Sequence, residues 1–448
     1  MEEEMDLNKH MVAVVGAGPA GLFASRFLAS NGIRVALFNR DIKPGGLAEY
    51  GIYPAKIKMK TGLRKQFDQI MELPNIDYFG NVKVSGGGPL FISDLVKMGF
   101  HSVLVTTGAQ GTKWLGLPGE HLPGVYHAKD LVFHYNLLPP YSDRRYLIGP
   151  KVALVGAGNV MMDIARYLIR DQKVEKVTVV VRRGPAEIKF TRQELENVVA
   201  NIDMEALDAE INRVAPTIKA VGQDVEAARQ SFMGDLPKAL EPVSSTVMDF
   251  TFLSSPIRIV GDWTKGANAL EVEDNTLVEV DGRTKPKGLG TKRMIPADTV
   301  VFAIGDTIDK EFALPIEWDS YCTNPNPSYP VDGVSFEAYD PDLKKPIKSI
   351  FIAGWARQAS TGLVGVARKD GENAAKAVLQ YLETVPGDDN LDATYDKFLK
   401  WIADNVNPVI SKEDLLKIKA AEQEKQQALG VEDFKFETNA EMMNLLEK

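Results

Sequence analysis

Two apolar stretches, each running straight into a glycine-rich turn, constrain this chain more than anything else in it. The first is Val12-Ala13-Val14-Val15 followed by Gly16-Ala17-Gly18-Pro19-Ala20-Gly21. The second is Val152-Ala153-Leu154-Val155 followed by Gly156-Ala157-Gly158-Asn159. Each opens a helical pattern, and in a strand–turn–helix setting a Gly-x-Gly turn marks a dinucleotide site. One such site fits a dehydrogenase. Two on one chain fit a flavin and a nicotinamide with a hydride passing between them.

The 448 residues suffice for two or three domains with full cores. A net charge of −9 argues against nucleic acid as a partner. The start is acidic rather than a basic leader before an apolar run, and the apolar runs are of strand length. Neither export nor a membrane span is expected. The single cysteine, Cys322, excludes more. A disulfide relay beside a flavin needs a Cys pair, and an iron–sulfur cluster needs about four thiolates. One-electron chemistry beyond a flavin must therefore occur on another protein. A lone Cys also suits a reducing cytoplasm, and Cys322 itself reads as a buried apolar residue.

In the first turn, Gly16, Gly18 and Gly21 have the G-x-G-x-x-G spacing: tight turn, backbone approach to a pyrophosphate, and close helix–strand packing. Pro19 and Ala20 open the helix, whose positive end would face the phosphates. The next strand, Ile33–Phe38, ends on Asn39, where an acid would normally hold the ribose hydroxyls. The loop Pro44-Gly45-Gly46-Leu47 follows, and a strand beginning near Val103 ends at Gly108. In the second turn Gly156 and Gly158 are present but the third position is Met161. The strand Val177–Val181 leads into Arg182-Arg183-Gly184 with no acid. An acid there would repel a 2′-phosphate, whereas two arginines suit NADP, by bidentate charge-assisted bonds. The cluster Lys56, Lys58, Lys60, Arg64 and Lys65 reads either as a solvated face or as a steering patch for an acidic electron carrier. The five histidines show no metal spacing.

Taken in order, these motifs resemble the adrenodoxin reductase family of ferredoxin–NADP reductases, related to the small subunit of glutamate synthase. The similarity runs from about residue 11 to 382. The Gly16–Gly21 turn matches the family's FAD turn. Phe79-Gly80-Asn81-Val82-Lys83-Val84 matches a strand whose last valine meets FAD through its backbone. Gly156-Ala157-Gly158-Asn159-Val160 resembles the NADP turn. Arg182-Arg183-Gly184-Pro185, with Phe190-Thr191 and Glu194, resembles the phosphate-binding stretch. Gly354-Trp355 with Thr361-Gly362-Leu363 resembles the signature beside the isoalloxazine. The resemblance also marks departures. A family acid falls on Asn39, a loop arginine on Glu49, and a His–Glu pair thought to handle protons on Lys56 and Asn197. These last two stand as candidate catalytic positions.

The expected fold class is α/β, with two doubly wound Rossmann-like domains and the NAD(P) domain inserted into the FAD domain. Residues 1–110 and 336–385 are expected to form the FAD part, 111–335 the NAD(P) part, and 386–448 a helical extension. That extension, with a capping box at Ser411-Lys412-Glu413-Asp414, either covers its own domain or docks a partner or second copy. The expected activity is hydride exchange between FAD and NADP(H), with NAD(H) possible, and single-electron exchange with ferredoxin or an iron–sulfur subunit. The main alternative is the NAD(P)H-linked FAD subunit of a larger complex oxidising aldehydes or 2-oxoacids. A flavin monooxygenase and a non-catalytic flavin-binding assembly subunit are weaker readings.

Overall fold

The computed structural model describes residues 7–234, 239–359 and 362–447. It divides into two units: residues up to 112 with 133–143 and 306–448, and residues 113–132 with 144–305. The second is thus inserted into the first along the chain. Residues 306–335, counted above with the inserted unit, pack with the first. The reason is local: Asp306–Thr307 pairs with Gly111–Thr112, and Ile308, Phe312, Leu314 and Tyr321 join the first unit's core.

The first unit is built on a six-stranded sheet in the order Glu337–Asp340, Lys345–Ile352, Ser102–Val105, Met11–Val15, Arg34–Phe38, Ile76–Phe79. All neighbours are parallel except Glu337–Asp340. Met11–Val15 is buried along its whole length. Such a continuous apolar run is what a parallel strand covered on both faces requires. Its residues alternate between two cores. Val12 and Val14 join Phe23, Leu28 and Val378, from the helices Pro19–Ser30 and Val364–Leu382. Met11, Ala13 and Val15 join Phe100, Tyr395, Phe398 and Ile402. The last three lie on the helix Leu391–Asn405. The start of the expected extension is therefore a core layer of the first unit. Phe398 alone packs edge-on against Phe38, Phe79 and Phe100.

The inserted unit has a five-stranded parallel sheet, ordered Val125–His127, Thr299–Phe302, Lys151–Val155, Lys176–Val180, Val247–Thr251. In both sheets the strand entering the glycine turn is central, and the chain reverses direction beside it. That reversal is the topological switch point at which open α/β sheets bind ligands. A three-stranded antiparallel sheet, Ser254–Asp262, Gly266–Val280 and Arg283–Pro296, also belongs to this unit. Asp281-Gly282, both at positive φ, is the hairpin signal that marks its last two strands.

Two helices cross in the first unit with no room for a side chain. A Cβ on Gly371 would lie 2.1 Å from the Ala20 carbonyl oxygen. Alanine normally gains about 1 kcal/mol over glycine inside a helix. Here overpacking of about 1–3 kcal/mol should outweigh it. Gly371→Ala is expected to lower the thermal midpoint by several degrees; an unchanged or higher midpoint would show the crossing to be looser than this.

Candidate functional site

The first turn is held from three sides. Gly16, at φ +112°, would bring a Cβ to 2.6 Å from the Thr106 carbonyl oxygen. Gly21 would bring one to 1.9 Å from the Gly16 carbonyl oxygen, so the helix Pro19–Ser30 lies hard against the strand. The Thr106 hydroxyl donates to the Gly16 carbonyl at 2.7 Å. A Cβ on Gly18, by contrast, would meet nothing within 4 Å. The second glycine thus faces open space where a pyrophosphate would approach. The first intrahelical bond is from the Leu22 N–H to the Gly18 carbonyl. The first helical turn carries no acidic residue, so the positive helix end is left for an outside anion.

Of the other expected residues, Gly46 and Gly354 lie against this turn. Gly46, at φ +50°, places a hypothetical Cβ 3.1 Å from the Gly18 Cα, and Leu47 starts the short helix Leu47–Tyr50. Gly354 lies beside Ala20, within 2.8 Å of its Cβ by the same measure, and turns at φ +68°. Half-buried Trp355 follows in that 3-10 turn. Gly108 is at φ +70°, just beyond the strand Ser102–Val105. Val84 is buried and bridges to Leu90. Gly362 has φ +75° and Leu363 is exposed. Thr361 lies outside the described residues.

Asn39 is buried and its amide is engaged with the protein. Its Oδ1 accepts from the Ala17 N–H at 3.2 Å, and its Nδ2 donates to the Asp41 and Lys43 carbonyls at 2.9 Å each. It ties the loop after the second strand to the glycine turn. The basic cluster does not form one face. Lys58 and Lys65 are exposed and Lys56 is half-buried. Lys60 is buried and donates to the Asn136 side-chain oxygen. Arg64 makes two hydrogen bonds to the buried carboxylate of Glu49, at 2.6 and 2.7 Å.

In the inserted unit, Gly156 has φ +146° and would carry a Cβ to 2.4 Å from the Ala303 carbonyl oxygen. Gly158 again faces open space, and the first turn of the helix Asn159–Arg166 has no acid. Met161, at the third position, is completely buried. Val160 beside it is half exposed. The Asn159 side chain accepts from the Thr191 N–H at 2.9 Å, and the Lys189 N–H donates to the Ala157 carbonyl at 2.9 Å. The stretch 189–191 is thereby fastened to the turn, and exposed Lys189 joins the cations there. Arg182 is exposed, while Arg183 pairs with Glu187 at 3.2 Å. Glu194 sits in the short helix Arg192–Leu195. Asn197 turns its amide back on its own chain, donating to the Gln193 and Glu194 carbonyls. Lys56 and Asn197 belong to different units.

Sequence reading missed Thr106, Lys189 and Asp370. Asp370, one helical face beyond the Gly354 turn, accepts from the Gly354 N–H at 2.6 Å and pairs with Arg357. A carboxylate sixteen positions downstream carries no local signal. Cys322 is buried, and burial raises its thiol pKa. Among the described residues no His, Cys, Asp and Glu cluster could hold a metal.

Comparison with known proteins agrees with this geometry. A family described as pyridine nucleotide-disulphide oxidoreductase matches residues 10–226. The chain is 28% identical over 430 residues to NADPH-ferredoxin reductase FprA of Mycobacterium leprae, covering 88% of this chain and 89% of that one. It is 26% identical over 408 residues to mitochondrial NADPH:adrenodoxin oxidoreductase of Salvelinus fontinalis, covering 82% and 77%. The solved structure of Mycobacterium tuberculosis FprA in complex with NADPH superposes with a TM-score of 0.79 at 26% identity, over 98% of this chain and 100% of that one.

The buried groups by the first turn give a pH test. Burial, and then the neighbouring Lys435 ammonium, push the Lys60 amine down to about 7. Its unfolded value is near 10.4. Between these the unfolded chain binds the extra proton, so stability should rise with pH from about 7 towards about 10. Lys60→Met is expected to flatten that rise in the urea midpoint; an unchanged pH slope would remove Lys60 as its source. The motifs in order, both glycine turns and these relatives show that the chain is similar to the adrenodoxin reductase-like ferredoxin–NADP reductases.

Proposed function

We propose that this protein is an FAD-dependent oxidoreductase that passes electrons between NADP(H) and a ferredoxin or another iron–sulfur protein. The observation carrying this is the pair of turns. Each presents an open glycine, Gly18 or Gly158, at the positive end of a helix whose first turn holds no acid. The residues present fit two dinucleotides. Bound FAD would accept a hydride from the reduced nicotinamide and exchange electrons singly with the partner.

In the first unit, Gly16, Gly18, Pro19, Ala20 and Gly21 would receive the FAD pyrophosphate, with Gly46 and Leu47 closing the other side. Asn39 would act mainly by fixing the loop, since its amide already bonds three backbone groups. Val84, Gly108, Gly354, Trp355, Gly362 and Leu363 would line the rest, with Asp370 orienting the Gly354 amide. In the inserted unit, Gly156, Gly158, Asn159 and Val160 would meet the nicotinamide dinucleotide. Arg182, Arg183 and Lys189 would meet its 2′-phosphate. The FAD domain would then be residues up to 112 with 133–143 and 306–448, and the NADP domain 113–132 with 144–305, rather than the limits 1–110 with 336–385 and 111–335 expected from sequence. Lys56 and Asn197 fall where the resemblance expects a proton-handling pair, and the Asn197 amide has no titratable proton with which to act as a general acid or base.

These departures also favour a second reading, a flavin subunit of a larger complex. Leu416 and Leu429, exposed on the helix Lys412–Leu429, are apolar residues that a partner subunit or second copy would cover. No helix among the described residues is long and apolar enough to cross a membrane. With its single thiol, the protein is placed in the cytoplasm by this reading.

Anaerobic titration of the purified protein should bleach the flavin band rapidly with NADPH and far more slowly with NADH. Arg182→Ala should raise the KM for NADPH about 10- to 100-fold, the value of one or two charge-assisted bonds, and leave that for NADH nearly unchanged. Equal bleaching by NADH would move the assignment to NAD. No bleaching by either would end the reductase reading.

A further inference from the structure

The loop from Asn39 to Tyr50 is poor in structure of its own. It holds one short helix and two consecutive positive-φ glycines, Gly45 and Gly46. Glycines lose the most conformational freedom on ordering, so such a loop needs outside support. On its inner side it lies against the first turn. The Gly45 N–H donates to the Ala17 carbonyl at 2.7 Å, and Gly46 abuts Gly18.

On its other side it is gripped by the end of the chain. Ile42 is buried with Ile410, Ile418, Phe436 and Met442. Lys43 pairs with Glu422 at 2.6 Å. Glu49 pairs with Lys435 at 2.6 Å, both side chains being almost fully buried. The Lys435 ammonium also donates to the Glu49 and Asn136 carbonyls at 3.2 Å and lies 4.8 Å from the Tyr50 ring centre. Arg64, bonded twice to Glu49, reaches Asp433 at 2.7 Å. Glu49, Arg64, Asp433 and Lys435 thus form a balanced set of two acids and two bases, with both bases on the one buried acid of the loop. Buried charges are tolerated only with this degree of pairing, and removing one partner is costly.

We propose that the C-terminal segment, through Lys435 and Asp433, is a clamp that holds the Gly45–Gly46 loop against the Gly16–Gly21 turn and so retains the FAD. Lys435, Asp433 and Glu49 are positioning residues. They act on the cofactor through the loop. The proposal rests on the assignment of FAD to the first unit. It gives the loop position Glu49 a physical partner that lies almost four hundred residues away along the chain, about 386 positions by number.

The test uses the full-length FAD-loaded protein and two variants, Lys435→Met and the milder Asp433→Asn. FAD release is followed by the rise in flavin fluorescence after dilution, at a temperature well below unfolding. Hydrogen exchange is read at the Gly45 to Tyr50 amides in protein freed of FAD. Release should quicken about tenfold in Lys435→Met and less in Asp433→Asn, one lost charge-assisted bond being enough for such a factor. Loop exchange should quicken in the same order, while affinity for 2′,5′-ADP in the inserted unit stays as in the parent. Unchanged exchange would overturn the clamp. Faster exchange with unchanged release would overturn its role in holding FAD. Release that occurs only with global unfolding, seen by circular dichroism, would reduce both residues to a structural role. A parent protein that binds no FAD at all would overturn the cofactor assignment and this proposal with it, whatever the exchange data show.

Discussion

The backbone contact between Gly21 and the Gly16 carbonyl sets the first unit's arrangement. With 1.9 Å between that oxygen and a hypothetical Cβ, only glycine lets the helix Pro19–Ser30 lie this close to its strand. The closeness aims the helix N-terminus across the end of the strand. It also brings Ala20 within reach of both Gly354 and Gly371. Three segments far apart in sequence thereby meet at one helix end. A side chain at any of these points would separate the elements that meet there.

The inserted unit reaches a similar geometry by a looser route. Met161 replaces the third glycine and is fully buried, so its side chain fills space that the first turn leaves to backbone contact. The turn is instead braced by the stretch 189–191, through Ala157 and Asn159. That bracing also carries Lys189 to the turn, and Arg182 and Arg183 follow shortly after the strand Lys176–Val180. The two units therefore differ at their turns: close backbone packing in one, a buried methionine and neighbouring cations in the other.

The tail shows what composition leaves open about packing. Its mixed charges fit either a cover for its own domain or a docking arm for a partner or second copy. Tyr395, Phe398 and Ile402 complete one face of the central sheet, and Lys435 is buried on Glu49. Three of the tail's charges, Glu422, Asp433 and Lys435, pair with Lys43, Arg64 and Glu49 across the contact. Arg64 and Lys60, which in sequence belong to a basic run, are divided by the fold between a carboxylate network and the side chain of Asn136.

Local pattern determined much of this protein. The apolar runs, the glycine spacings, Arg182 and Arg183, the capping box at Ser411 and the absence of a cysteine pair are all short-range features. Strand burial and turn geometry depend on neighbours a few residues apart, so the α/β class and the two glycine turns were legible. What only the tertiary structure decided are the pairings across long separations: Asp370 on the Gly354 amide, Thr106 on the Gly16 carbonyl, residues 306–335 in the first unit, Asn39 committed to the loop, and Lys435 on Glu49. A charge or hydroxyl has no periodicity to announce its partner. Its role is fixed by which backbone or side chain the folded chain places within about 3 Å of it.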